Sequence, residues 1–210
     1  MLVALVATVL GGLLTVGMWA STRTARPTAW THPGAGMMGG GYGLAGDGAR
    51  VDSLAAARQR AQRFADGLGL RPGEVIQFSN GFYAELLTGD GQGATEVLID
   101  PADGTVGLEL GPAMMWNTRY GMHAGAGGPG PGAGDRAATV SAGDAAQVAQ
   151  RWLDTNRHGL TVGDAEHFPG YYTFEVVRGG TVAGMMSVHD GTGAVWYHTW
   201  HGTFVAASEE

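Results

Sequence analysis

Three short blocks of this sequence occur twice, in the same order and at nearly constant separation, and a duplication constrains the fold more than any single motif. AQRFAD at residues 61–66 returns as AQRWLD at 149–154, GFYA at 81–84 as GYYT at 170–173, and IDPADGTV at 99–106 as VHDGTGAV at 188–195. Each copy opens on a helical period. Leu54, Ala57, Ala61, Phe64 and Leu68 recur at intervals of three and four, as do Ala145, Val148, Ala149, Trp152 and Leu153. Ser141, with Asp144 three residues on, has the form of a capping box. The pattern then becomes strand-like over 82–87, 94–99 and 105–110 in the first copy, and over 171–178, 182–188 and 194–200 in the second. Gly179-Gly180, Asp103-Gly104 and Thr192-Gly193 supply the turns. The expectation is an α+β fold of two tandem repeats, each a helix followed by a three-stranded antiparallel meander, behind an N-terminal transmembrane helix.

That N-terminal element is residues 2–20, LVALVATVLGGLLTVGMWA, which carry no charge. As a helix they would span about 28 Å, close to the ~30 Å hydrocarbon core. The segment lacks a basic start and a small-x-small cleavage site, so an uncleaved anchor is favoured over a signal peptide, with Trp19 and Trp30 as interfacial residues. The organisation that follows is a transmembrane anchor at 1–22, a Gly/Met-rich linker at 23–50, one repeat at 51–123, a Gly/Pro linker at 124–138 and a second repeat at 139–206. Within the second linker, AGAGGPGPGAG reads as a tether.

Composition removes whole classes of chemistry. All twelve basic residues are arginine, so there is no phosphate-loop lysine, Schiff-base lysine or Ser-Lys dyad. No cysteine is present, which excludes thiol nucleophiles, disulfides and cysteine-ligated metal. A formal charge of −7 with scattered arginines offers no nucleic-acid surface. HExxH and GxSxG are also missing, and the chain reads as a non-enzyme.

A helix followed by strands that end in [VI]-D-x-x-[TD]-G-x-[VI], here residues 99–106, resembles the PepSY domain family. The second copy departs from it, with His189 in the place of Asp100, but keeps the Thr192-Gly193 turn. PepSY-like domains are non-catalytic modules of metalloprotease propeptides and membrane-anchored envelope proteins. The resemblance therefore implies a binding or regulatory role, toward an envelope protein or peptide. It also implies a single-pass cell-membrane protein with its folded part outside the cytoplasm, although Arg23 and Arg26 after the span would by themselves favour the inside.

The alternative function is copper or other soft-metal binding. Met37 and Met38 lie beside His32 in a glycine-rich stretch with no core to bury a methionine, and thioether sulfur selects soft ions. Met122 and His123 end GPAMMWNTRYGMH, in which Met114, Met115 and Trp116 are expected to pack as a strap. The metal candidates are thus His32, Met37, Met38, Met122 and His123. Asp100 and Asp103 suit turn chemistry better than calcium. In VWYHTWHGTF, His198 and His201 would point to opposite faces of a strand and converge only if the chain bends near Gly202. Packing is the favoured reading of that run.

Overall fold

The computed structural model describes residues 43–124 and 138–208. The expected anchor and residues 125–137 of the expected 124–138 linker lie outside the described residues, as do His32, Met37 and Met38. Among the described residues no helix is long and apolar enough to cross a membrane.

In chain order the elements are β1 (Gly43–Leu44), α1 (Leu54–Asp66), β2 (Arg71–Phe78), β3 (Gly81–Leu87), β4 (Gly93–Ile99), β5 (Val106–Leu108), α2 (Pro112–Met115), α3 (Ala142–Asn156), β6 (Thr161–Phe168), β7 (Tyr171–Arg178), β8 (Thr181–His189), β9 (Val195–Tyr197) and β10 (Phe204–Ala207). They build two antiparallel sheets, one of six strands in the order β1-β5-β4-β3-β2-β10 and one of four in the order β6-β7-β8-β9.

This overturns the expected class. The described chain is mostly β, with three helices, and is not a pair of helix-plus-three-strand repeats. One cause lies in β2 and β6, RPGEVIQF and TVGDAEHF, whose glycines and charges hid them as strands. In both, pairing with the next strand shifts register at the glycine, between Pro72 and Val75 and between Val162 and Ala165. A bulge of this kind breaks the two-residue alternation that sequence patterns rely on. The other cause is long-range: the first sheet takes β1 from before its helix, and β10, which follows the second sheet, pairs with β2.

The two halves do share hydrogen-bond register. Val97 pairs with Leu108 as Met186 pairs with Tyr197. Phe78 opposite Gly81 matches Phe168 opposite Tyr171, so the sequence match of Gly81 to Gly170 was one residue out.

Each long helix starts on a serine whose side chain accepts from a backbone amide, Ser53 from Ala56 and Ser141 from Asp144. Such caps satisfy an orphan donor and contribute about 1 kcal/mol. α1 buries Ala57, Ala61, Phe64 and Ala65 against Val75, Phe82, Ala84, Leu86 and Val97 of the first sheet. α3 buries Ala145, Ala149 and Leu153 against Phe174, Val176, Met186 and Val188 of the second. Side chains alternate along a strand, so Tyr83 and Leu98 leave the opposite face, where they pack with Ile76, Phe78 and Met185 of β8. The sheets therefore meet on the faces turned away from their helices, along a seam.

The strap after β5 crosses the end of this seam. Asn117 donates to the Ala94 carbonyl at 2.8 Å, and Ala113 packs with Phe168 and Tyr171. Of the residues expected to pack, Met115 is 44% exposed and Met114 and Trp116 are only partly buried, while Pro112, Ala113, Asn117 and Tyr120 are buried.

Candidate functional site

The seam should be apolar, since it joins two sheets, yet its centre is a row of polar side chains. Glu109 follows the last residue of β5, and its amide donates to the Glu96 carbonyl at 2.8 Å. His198 follows the last residue of β9, and its amide donates to the Met185 carbonyl at 3.0 Å. Glu109 and His198 thus occupy corresponding places in the two sheets, and they meet: His198 Nδ1 stands 3.3 Å from Glu109 Oε1, both side chains fully buried.

His201 joins them because β9 stops at Tyr197 and the chain turns. The Ser79-Asn80 turn between β2 and β3 clamps that loop. Asn80 Nδ2 donates to the Trp200 carbonyl at 2.8 Å, its Oδ1 accepts from the Gly202 amide at 2.8 Å, and Ser79 Oγ accepts from the Thr203 amide at 3.0 Å. His201 Nε2 then lies 2.8 Å from Glu109 Oε1, with its ring stacked on Phe78. Trp200 stacks on His198 and donates its indole N–H to the same oxygen at 3.2 Å.

On the far side of His198, Nε2 lies 3.0 Å from Ser187 Oγ, which is 2.9 Å from Thr173 Oγ1. Beyond them Tyr83 donates to Glu96 Oε1 at 2.7 Å, and Tyr171 faces the same carboxyl. The two buried acids behave oppositely. Burial pushes Glu96 well above the usual carboxyl range, and the charge of Glu109 pushes it further. Burial also penalises the Glu109 charge, but His198 and His201 outweigh it and hold that carboxyl down at about 2. Burial in turn lowers His201, partly offset by Glu109.

Ser187, His198 and Glu109 stand in the order of a hydrolase triad. Ser187 is fully buried and lines none of the described clefts, so its oxygen is closed to solvent in this structure. The row has the components of acyl transfer without access.

A second feature lies at the edge of the four-stranded sheet. The outer side of β6 pairs with no described strand. Beside it runs a cavity of about 430 Å³, lined by Gln92, Arg119, Tyr120, Ala165, Glu166 and His167. Glu166 also borders a smaller space of about 170 Å³, where Asp164 and Glu175 face Glu74 and Glu85 of the first sheet.

No family model, curated protein or solved structure matches the chain. Its functional reading rests on geometry and sequence pattern.

Of the metal candidates from sequence, His32, Met37 and Met38 lie outside the described residues, and Met122 and His123 are exposed on the strap. Asp100 and Asp103 serve turns, accepting from the Ala102 and Thr105 amides at 2.7 and 2.8 Å. Sequence reasoning missed Glu96 and Glu109 and set His198 and His201 aside as packing. The missing signal was the end of β9 at Tyr197, which frees the two histidines from strand alternation.

Proposed function

We propose that this chain is a non-catalytic binding module of the cell envelope that adds an extended, basic segment of a partner protein to the outer edge of β6. The observation that carries the reading is that unpaired edge beside a cleft of about 430 Å³. Strand addition takes its affinity from main-chain hydrogen bonds and its specificity from alternate side chains. Asp164 and Glu166 on β6 select for positive charge and repel a second copy of this acidic chain, the usual protection of an exposed edge. The resemblance of residues 99–106 to PepSY domains supports binding over turnover, as does the sealed Ser187–His198–Glu109 row. The same proposal includes the anchor at residues 2–20 and an extracytoplasmic folded part; protease resistance of that part in intact cells would argue against this placement.

The test is titration with a fluorescent peptide of alternating valine and arginine. Binding weakens with salt and falls by about tenfold, ~1.4 kcal/mol, in Asp164→Arg/Glu166→Arg. Equal affinity for an alternating valine–glutamate peptide would count against the reading.

A further inference from the structure

The seam cluster plays no part in strand addition at β6, and its geometry carries a separate conclusion. We propose that Glu109, His198 and His201 bind one divalent first-row transition ion, with zinc as the reference case.

Spacing comes first. His201 Nε2 and His198 Nδ1 lie 2.8 and 3.3 Å from Glu109 Oε1, and the three residues' ligand atoms all fall within 4.8 Å of one another. Donors bound at ~2.0–2.2 Å around a tetrahedral or octahedral ion stand about 3 Å apart, so an ion enters with a small outward movement of the three groups.

The second observation is unmet demand. Glu109 Oε1 takes every contact, while its Oε2 and His198 Nδ1 are buried with no hydrogen-bond partner. Burying such atoms without partners is costly, and a cation between them satisfies both.

Third, the supporting groups are already in place. Ser187 fixes the ring of His198 through Nε2, leaving Nδ1 toward the site. Trp200 holds Glu109, and Asn80 ties down the main chain on both sides of His201. Such outer partners orient ligands and set their basicity. The main chain of His201 also borders a cavity of about 630 Å³ with Arg178, Thr203 and Phe204, while its imidazole is 1% exposed. Two nitrogens and one oxygen without sulfur favour borderline dications over copper(I), and three protein ligands leave positions open to water or a small ligand. This donor set shares no residue with the Met/His set at positions 32–38 and 122–123.

The experiment uses the full chain in detergent, stripped with chelator and titrated with cobalt(II), then zinc. One equivalent of cobalt(II) gives the visible d–d bands of a low-coordinate nitrogen/oxygen site, and zinc displaces it. His198→Gln and His201→Gln each weaken binding by more than about 100-fold, and Ser187→Ala by about 10-fold to 100-fold. A chain with His32→Ala, Met37→Leu, Met38→Leu, Met122→Leu and His123→Ala binds as before. If the histidine variants fail to fold, the zinc-induced rise in melting temperature of the unaltered chain, lost in Glu109→Gln, reads the same site. No binding by the unaltered chain, unchanged affinity in the double histidine variant, or loss of binding in the five-residue variant would each overturn the proposal.

Discussion

At the scale of single residues, the two seam carboxyls set the pH dependence of stability in opposite directions. Glu96 is raised above its ordinary 4.5, so above that pH the native chain keeps a proton that the unfolded chain has released. Stability is then lost as pH rises. Glu96→Gln removes the effect: the variant gains on the unaltered chain by up to about 1.4 kcal/mol per pH unit above the unfolded value. Urea midpoints between about pH 5 and pH 7 measure this, and a gap that stays constant with pH would contradict it. Glu109 works the other way. Held at about 2, it contributes stability above the unfolded 4.5 that is lost as pH falls toward 2. Two residues beyond it, Gly111 has φ +78, and a Cβ there would stand 2.9 Å from Trp196 and 3.0 Å from Trp200. Gly111→Ala should cost about 1–3 kcal/mol in chemical denaturation, by backbone strain and by displacing Trp196 and Trp200, the second of which is bonded to Glu109.

At the scale of elements, the caps are the simplest test. Ser141→Ala removes the acceptor for the Asp144 amide and should lower stability by about 1 kcal/mol, read as a shift in the urea midpoint with unchanged slope. The helices were legible in the sequence because a 3.6-residue period survives small irregularities: α1 and α3 lie where Leu54, Phe64, Ala149 and Leu153 place them. β3, β4, β7 and β8 were legible for the matching reason, an apolar run between clear turns. β2 and β6 were not, since Pro72-Gly73 and Gly163-Asp164 resemble loop chemistry and mark bulges instead. The seam cluster was hidden by the assumption that 194–200 is one strand. The duplication held the correction: Gly111-Pro112 breaks the first copy soon after Leu108, and Trp200-His201 occupies the corresponding place after Tyr197.

At the scale of the whole molecule, the halves are interlocked and not merely adjacent. β10 completes the first sheet, where Val75 and Ser208 exchange hydrogen bonds: the Val75 amide donates to Ser208 Oγ at 3.0 Å, and the Ser208 amide to the Val75 carbonyl at 2.8 Å. Phe204 and Ala207 pack with Ile76, Phe78 and Tyr83. A chain cut by a protease at a site engineered between residues 125 and 137 should therefore stay associated and unfold in one transition. Sedimentation and urea denaturation check this, and two separate transitions would refute it. Sequence patterns carried no trace of the interlock, because pairing partners 133 residues apart leave no local periodicity.

The return of β10 to β2 also fixes the order in which the protein can mature. A sheet begun at Gly43 stays open along β2 until Ala207 has been synthesised, and contacts this distant are slow to close. Glu109 acquires His198 and His201 only then. An ion at the seam would thus be acquired by a finished chain in whatever compartment completes its folding, and the metal supply there, more than at the ribosome, would decide what is bound.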